Sequence, residues 1–341
     1  MLTTLVNQYP ILAYVFVIVG FLFLIKGGDW FVDAATGIAK RFHLPELLIG
    51  ATVVSIGTTL PEVMTSAIGA ASGSSAVAYG NAIGSIICNT SLVAAITIAI
   101  KPAKADKKAL IFPVCFFFGA AAFYAFNAYA FGRFDLWMGI VLLIGFVVYM
   151  VMNVINMKKN PEEAHEDVEI TEGEEESAKG GLVKDIVMLV VSAAVIAAGA
   201  KLLVEGATKV ANDLGVPETI ISLTIVALGT SLPELVTAIT ALMKGHGALS
   251  LGNIIGANIF NLVLVSGTAI TINPFDVPAE ATFLGNNASL IFDTPLVFIV
   301  MGIMTIPTIF KGKLQRWQGI SLLALYAAYC VLQFVVLPNF A

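Results

Sequence analysis

The chain has 341 residues, of which 58% are hydrophobic and only 12% are charged, and its mean hydropathy is +0.92. Soluble domains carry roughly 25% charged residues, so this composition excludes a soluble enzyme and indicates a polytopic helical membrane protein. The net charge of −5 reflects a single segment, because nine of the 23 acidic residues lie between Glu162 and Glu176. The three cysteines form no C-x-x-C pair and predict neither a disulfide framework nor a thiolate metal site.

Ten apolar stretches follow one another along the chain, separated by turn or charge clusters. They cover residues 10–38, 45–71, 76–100, 108–129, 134–156, 183–211, 217–243, 248–271, 288–310 and 316–337. A helix needs roughly 20 apolar residues to cross a bilayer, so each stretch is long enough. The first and sixth are longer than the bilayer requires and are expected to tilt or project from it. The sequence therefore predicts an all-α membrane protein with ten transmembrane helices.

The distribution of charge between the spans predicts the orientation in the membrane. Residues 158–182 combine low hydrophobicity with dense acidic charge, which is typical of a solvated linker. Basic residues concentrate in the loops after odd-numbered spans, whereas the other side holds essentially Arg133 and Lys209. The positive-inside rule then places the acidic linker in the cytoplasm and both termini outside, with the protein in the cell (inner) membrane.

An internal repeat with an offset of 172 residues is the most informative feature of the sequence. Residues 57–92 and 229–264 share 15 identities in 36 positions. The repeat pairs GTTLPEVMTS with GTSLPELVTA, and GNAIGSIICN with GNIIGANIFN. An offset of five helices places the second copy upside down relative to the first. The sequence therefore predicts two inverted five-helix repeats, 1–157 and 183–341, with a substrate site near the midplane between them.

Two glutamates lie near the middle of otherwise apolar spans. Glu62 and Glu234 have no lysine or arginine nearby in either motif. An ionised carboxylate at the membrane centre costs about 2.5–3.5 kcal/mol, so it needs a partner inside the protein. A bound cation or protons would supply that partner; a protonated glutamate hydrogen-bonded between helices is the purely structural alternative. Pro61 and Pro233 precede these glutamates and are expected to break each helix, which would free carbonyl oxygens for a cation.

Helical spacing brings further oxygen-bearing side chains onto the same faces. Thr58 and Thr230 each lie four residues before a glutamate. Asn81, Ser85 and Asn89 form one stripe on the third span, repeated on the eighth by Asn253, Ala257 and Asn261. We expect Asn89 and Asn261 to face the site, whereas Asn81 and Asn253 are equally compatible with hydrogen bonds between helices.

The remaining polar and glycine positions are expected to have other roles. The pairs Gly80/Gly84 and Gly252/Gly256 predict close helix packing. The positions expected at the cytoplasmic surface are Asp29, Asp33 and Glu205, and Asp293 is expected near an interface.

The paired G-T-[TS]-L-P-E and G-N-x-I-G-[SA]-x-I-x-N motifs resemble the α-repeats of the sodium/calcium exchanger branch of the cation/calcium antiporters, in their prokaryotic ten-helix form. The resemblance covers nearly the whole chain. It implies a core of spans two, three, seven and eight around the ions, beside a tilted sliding pair formed by spans one and six. Matched position by position, it implies a ligand set of Glu62, Glu234, Thr58, Thr230, Ser85 and Asn89, with backbone carbonyls of Ser55 and Ala227 and the lining residues Thr59 and Ser231.

Two positions depart from the family pattern. Asn261 stands where several prokaryotic and potassium-dependent relatives have aspartate, and Ala257 stands where a serine hydroxyl would help to hold an outer sodium ion. The site then offers two carboxylates, which suit one Ca²⁺ or a pair of monovalent ions. The missing aspartate argues against potassium co-transport.

The expected activity is exchange of Na⁺ for Ca²⁺ by alternating access. Ca²⁺ and Na⁺ are the transported substrates, no further cofactor is expected, and the partners are these ions and the lipid bilayer, with no nucleic acid and no obligate protein partner. Proton-driven Ca²⁺ exchange by the same two glutamates is the nearest alternative; a calcium channel and a membrane scaffold are the others. No His pair, HExxH or GxGD motif indicates an intramembrane enzyme.

Overall fold

The computed structural model describes Tyr9 and residues 11–42, 44–159, 181–214, 227–279 and 282–337. Within these ranges nine helices are long and apolar enough to cross a membrane. A shorter apolar helix, α7, spans Leu232–Met243 and follows a single turn at Ala227–Thr230. The nine long helices are α1 Ile11–Arg41, α2 Glu46–Ala71, α3 Ser75–Ile100, α4 Lys107–Phe131, α5 Leu136–Lys159, α6 Leu182–Asp213, α8 Gly247–Ile272, α9 Ser289–Lys311 and α10 Arg316–Val336.

These bounds follow the predicted spans closely. The predicted seventh span, 217–243, is described only from Ala227, since residues 217–226 lie outside the described ranges. The acidic segment predicted as a linker also lies almost wholly outside them. As expected, α1 and α6 are long: their 31 and 32 residues correspond to about 47 Å at 1.5 Å per residue, against a hydrocarbon core of about 30 Å.

Helix boundaries recur with the same 172-residue offset as the sequence motifs. Residues 11–41 of α1 correspond to 183–213 of α6, and residues 75–88 of α3 correspond to 247–260 of α8. Each of α3 and α8 then contains a π-helical turn that starts at an equivalent asparagine, Asn89 or Asn261. In these two pairs, the sequence copies therefore fold into helices of matching type and length.

The expected break at the two prolines occurs at only one of them. Pro61 lies inside the continuous helical segment Ser55–Ala71. A proline removes the hydrogen bond to the residue four positions earlier, and its ring crowds that carbonyl group. In membrane helices, however, neighbouring helices and side chains can satisfy the freed backbone group, so the helix need not break. At Pro233 the helix is interrupted two residues earlier, at Ser231, so that Pro233 occupies the first turn of α7. The expectation for Pro61 was wrong.

The irregular backbone of α2 lies instead at a π-helical turn, Gly50–Val54. Hydroxyl groups satisfy the carbonyl oxygens of this turn. Ser55 Oγ lies 2.8 Å from the carbonyl oxygen of Gly50, and the Tyr149 hydroxyl donates to that of Ala51 at 3.2 Å. The deviation from α-helical geometry is therefore fully hydrogen-bonded at these two positions.

Helices α1 and α6 cross in antiparallel directions at close range. A Cβ atom at Gly20 would lie 2.8 Å from the carbonyl oxygen of Gly199, and one at Gly199 would lie 3.0 Å from that of Gly20. Further along, Gly27 of α1 meets Ile196, and Gly206 of α6 meets Val17. Only glycine permits this approach of two backbones, as in other small-residue interfaces within membranes.

The predicted close packing at Gly252 and Gly256 is confirmed. A Cβ at either position would clash with α2, at Leu47 and Ala51 respectively. No described residue lies within 4 Å of a Cβ built at Gly80 or Gly84. The repeat-equivalent packing partner of these two glycines would be residues 219–223, outside the described ranges, so their role stays a prediction.

Short backbone ladders join the loops at each end of the bundle. After α4, strand β1 (Arg133–Phe134) pairs in antiparallel register with β2 (Phe275–Asp276), which follows α8. A single antiparallel bridge joins Lys104, between α3 and α4, to Lys313, between α9 and α10. The loop before α9 also holds a small hairpin, formed by β3 (Thr282–Phe283) and β4 (Asn286–Asn287).

Helix α8 lies at the centre of this arrangement. In its most apolar 18-residue window 89% of the residues are buried, against 28% for α1 and 11% for α10. It packs against α2, α3 and α7, where buried polar residues are concentrated. The apolar outer helices thus surround a polar interior.

Candidate ion-binding site

The two predicted glutamates approach each other in the interior. Glu62 of α2 and Glu234 of α7 are both 0% exposed, and their carboxylates interact electrostatically. None of the four carboxylate oxygens has a hydrogen-bond partner among the described residues. Glu234 lies in the first turn of α7, where the helix dipole favours negative charge. The pair is therefore closed off from solvent and unsatisfied by neighbouring side chains.

Hydroxyl groups from both copies of the motif surround this pair. Thr58 and Thr59 of α2 lie beside the Glu234 carboxylate, and both are buried. Ser231, at the break before α7, is also buried, and the hydroxyls of Thr59 and Ser231 have no partner in the described part of the chain. Neutral oxygens thus accompany the two carboxylates.

The two asparagines expected to face the site are buried without partners. Asn89 and Asn261 are each 0% exposed, and within the described ranges neither amide makes a hydrogen bond. Each begins the π-helical turn of its helix, a deviation that is frequent at functional sites. An unsatisfied buried polar group costs about 1–3 kcal/mol. A cation coordinated by the two amide oxygens would recover part of this free energy.

The other two asparagines hold helices together. Asn81 donates to the carbonyl oxygen of Glu62 at 3.1 Å and to the Ser66 hydroxyl at 2.9 Å. Asn253 donates to the Thr237 hydroxyl at 3.0 Å and accepts from Thr58 at 3.3 Å. Helical spacing left open whether Asn81 and Asn253 face the site or bond to neighbouring helices. The structure favours hydrogen bonds to the helices that carry the glutamates.

The remaining predicted ligands are placed less uniformly. Ser85 and Ser55 are buried, and the carbonyl oxygen of Ser55 lies 3.5 Å from Thr58 Oγ1. Thr230 is half-buried at the end of the single turn before α7, and Ala227 begins that turn. The structure therefore places Ser55 and Ser85 in the polar interior and Thr230 at its margin.

Sequence reasoning missed Cys88 at this site. Its thiol lies beside the Ser231 hydroxyl and within electrostatic range of both glutamates. It also lies 4.0 Å from the Tyr326 hydroxyl of α10. Cys88 lies one helical turn after Ser85, and this spacing places both on the same helix face. A lone cysteine in an apolar helix otherwise gives no indication that it lies near an ion site.

Three aspartates outside this cluster have other partners. Lys244 lies 2.7 Å from Asp33 and 3.6 Å from Asp29; Asp33 is exposed as predicted, whereas Asp29 is half-buried. Glu205 is half-buried, more than predicted for a surface residue. Asp293, in the first turn of α9, accepts hydrogen bonds from Tyr329 at 3.1 Å and Gln333 at 3.0 Å. Asp29, Asp33 and Asp293 therefore each have a partner, unlike Glu62.

The composition of the interior restricts what it can bind. No lysine, arginine or histidine is buried in the described part of the chain. The described residues also form no group of three or more His, Cys, Asp or Glu side chains suited to a metal ion. Two carboxylates with hydroxyl and amide oxygens are ligands for hard cations, which take six to eight oxygens in the case of Ca²⁺. The arrangement matches a cation site of net charge −2.

A bundle of membrane-spanning helices around a buried, oxygen-rich pair of carboxylates defines the class of protein, a membrane transporter of cations. The comparisons with known proteins narrow this class. The family described as sodium/calcium exchanger protein matches residues 12–155 and 184–335. The chain therefore belongs to the sodium/calcium exchanger family.

Individual relatives cover the chain almost end to end. The sodium/calcium exchanger MaX1 of Methanosarcina acetivorans is 32% identical over 95% of this chain and 99% of its own length. The putative antiporter CaxA of Alkalimonas amylolytica is 33% identical over 95% of this chain and 99% of its own length. A solved structure of the sodium-calcium exchanger NCX_Mj, soaked with Na⁺ and Sr²⁺, has a TM-score of 0.76 at 31% identity and covers 95% of this chain and 99% of its own.

Proposed function

We propose that this protein exchanges Na⁺ for Ca²⁺ across the membrane, with Glu62 and Glu234 as the carboxylates shared by the two ions. One observation carries the proposal: both carboxylates are 0% exposed and have no hydrogen-bond partner among the described residues. Burying an ion is costly unless it is paired. No cationic side chain is buried in the described chain, so the transported cation is the partner that fits.

Charge balance accounts for exchange in place of leak. One Ca²⁺ or two Na⁺ would neutralise the two carboxylates. An empty, doubly charged site would have to be enclosed without compensation, at a cost of several kcal/mol per ion. The loaded forms therefore close readily and the empty form does not, which couples the two ion fluxes.

The family's inverted-repeat architecture is part of the proposal. In it, residues 1–157 and 183–341 are two inverted repeats of five helices each, joined by the segment 158–182. The 172-residue offset shared by sequence and helix boundaries supports this division. The antiparallel crossing of α1 and α6, which are equivalent elements, supports the inversion.

Alternating access requires a moving part that responds to the ions. We assign this part to the pair α1 and α6. Phe31 of α1 lies against Gly57, and Val204 of α6 lies against Gly229. These glycines begin the two glutamate motifs, so each helix of the pair contacts the backbone about one turn from a carboxylate. A change in ion occupancy can thereby alter the surface along which the pair moves.

The basic residues of the loops support a definite orientation. Both termini would face outside, and the acidic segment 158–182 would face the cytoplasm, as the positive-inside rule predicts. Lys104 and Lys313, which the fold joins by a backbone bridge, then lie at the cytoplasmic surface.

Proton-driven Ca²⁺ exchange is the second candidate, because two buried carboxylates could take up two protons as readily as sodium. Uptake of ⁴⁵Ca²⁺ into proteoliposomes separates the two. We expect uptake into vesicles loaded with Na⁺ and none into vesicles loaded with choline, with or without a pH gradient. Uptake driven by the pH gradient alone would overturn the sodium assignment, and uptake that needs no counter-ion would indicate a channel.

A further inference from the structure

A second charged feature lies away from the ion site, where two loops are held together by their backbones. Lys104 and Lys313 form an antiparallel bridge. Two further hydrogen bonds flank it, from Ala105 N to the carbonyl oxygen of Gly312 and from Leu314 N to that of Ala103, both at 3.0 Å. Side chains of directly opposed residues in such a ladder project from the same face, with Cβ atoms about 4.5–5.5 Å apart. Two like charges are therefore fixed next to each other.

These lysines belong to a larger cluster, which we term the basic patch. Its six members lie within three residues of the bridge, hence within about 10 Å of it along the chain, and all are exposed. None makes an ion pair within the described ranges. Nearby Asp106 instead caps α4, accepting from Lys108 N at 3.2 Å and from Ala109 N at 2.8 Å. The basic patch comprises Lys101, Lys104, Lys107, Lys311, Lys313 and Arg316.

The opposite end of the bundle provides a direct comparison. There the ladder of β1 and β2 places Arg133 against Asp276, with Arg133 Nη1 3.7 Å from the carboxylate. Asp276 is the repeat equivalent of Lys104. The same kind of loop junction thus pairs opposite charges at one end and two like charges at the other. The fold itself does not require the lysine pair.

The surroundings of the patch identify an anion of a particular kind. Its residues lie at the ends of α3 and α9 and at the starts of α4 and α10. Beside them, Ile100, Phe310 and Trp317 are 63%, 78% and 48% exposed, which continues the apolar surface that these helices present to lipid. Tryptophan is enriched at this depth, where the headgroups begin. A ligand here contacts apolar surface and positive charge together.

We propose that the basic patch binds the phosphate of an anionic phospholipid, whose acyl chains lie along Ile100, Phe310 and Trp317. Juxtamembrane clusters of four to eight basic residues attract anionic headgroups in this way. The phosphate would accept from Lys104 and Lys313 at once, which relieves the repulsion between them. The proposal requires that the protein lies in a membrane and does not depend on which ions it exchanges.

Native mass spectrometry of the intact protein, purified in an uncharged detergent, tests the proposal. We expect phosphatidylglycerol to be retained at least about tenfold more than phosphatidylcholine with the same acyl chains. The double substitution Lys104→Gln with Lys313→Gln should abolish this preference. Lys104→Arg with Lys313→Arg should keep it, and so should the control Arg133→Gln at the opposite end.

Three outcomes would overturn the proposal. The first is equal retention of the two lipids by the wild-type protein, and the second is an undiminished preference in the double glutamine variant. The third is displacement of the lipid by a competitor at equimolar concentration. Displacement by glycerol 3-phosphate would mark a site for free phosphate, and displacement by a peptide of residues 162–176 would mark the chain's own acidic segment as the occupant.

Discussion

Asn89 and Asn261 differ from Asn81 and Asn253 in one respect that bears directly on ion binding. The first two have no hydrogen-bond partner in the described part of the chain, although they are 0% exposed. The second two are occupied in joining helices. Four asparagines at equivalent positions of a repeat thus divide into a pair available to a cation and a pair that positions the glutamates.

This division predicts different effects for the same substitution. Asn89→Ala and Asn261→Ala should each weaken Ca²⁺ binding by about 1–3 kcal/mol, or about 5- to 150-fold in Kd, because each removes a buried ligand. Asn81→Ala should lower thermal stability more than it changes Kd, since Asn81 bonds to Glu62 and Ser66. Isothermal titration with Ca²⁺ and thermal unfolding measure the two quantities. An unchanged Kd for Ca²⁺ in both Asn89→Ala and Asn261→Ala would show that these asparagines are not ligands.

At the scale of the helices, one ion-pair group joins the proposed moving pair to the core. Lys244, just after α7, contacts Asp33 and Asp29 of α1. The repeat-equivalent positions of Lys244 and these aspartates are Ser72, Lys201 and Glu205, and no ion pair among them is present in the described structure. Within the described residues the attachment therefore joins the pair to the core at one end only, which makes the two ends of the pathway unequal there.

Breaking this attachment should ease the movement of α1. A partly exposed ion pair contributes about 1 kcal/mol or less, so Lys244→Gln should raise the exchange rate by up to about fivefold and make it less sensitive to ionic strength. Lys209→Gln is the matched control, because Lys209 pairs with Asp213 within α6 alone. Initial rates of exchange at saturating Ca²⁺ measure the effect. Equal rates in the wild-type protein and in Lys244→Gln would show that the group does not restrain α1.

The helices could be predicted from sequence because apolar runs and punctuating charges are local properties. The span 45–71 becomes Glu46–Ala71, and 248–271 becomes Gly247–Ile272. The π-helical turns at Asn89 and Asn261 could not be predicted, because the wider turn does not change the hydropathy pattern of the sequence. The continuity of the helix through Pro61 depends on neighbouring helices, which a local rule does not include.

Prediction of the candidate site was similarly divided. The repeated motif singled out Glu62 and Glu234, and the structure brings them together. The roles of Asn81 and Asn253 depended on partners such as Ser66 and Thr237, whose proximity is a tertiary property. Cys88 was missed for the same reason, since its neighbour Ser231 comes from the other half of the chain. That these residues bind ions stays a prediction.

At the scale of the whole molecule, the orientation can be tested directly. In a background with Cys88, Cys115 and Cys330 replaced by serine, Ser177→Cys should react with a membrane-impermeant maleimide only in inside-out vesicles. Asn286→Cys, at the exposed start of β4, should react only in right-side-out vesicles. Reaction of both cysteines from the same side would contradict the proposed orientation.

The central claim is that Ca²⁺ and Na⁺ compete for one site at Glu62 and Glu234. Binding of ⁴⁵Ca²⁺ to the purified protein, titrated with Na⁺ or choline, tests it most directly. Glu62→Gln and Glu234→Gln should each weaken Ca²⁺ binding by about 3–5 kcal/mol, more than 100-fold. Each substitution removes one of the two negative charges that would neutralise the buried Ca²⁺. Asp293→Asn is the control, since its carboxylate is also buried but is already bonded to Tyr329 and Gln333.

We expect Na⁺ but not choline to displace Ca²⁺ from the wild-type protein and from Asp293→Asn, and both glutamine variants to bind neither ion measurably. Wild-type affinity for Ca²⁺ in either glutamine variant, or Ca²⁺ binding that Na⁺ does not reduce, would contradict the account.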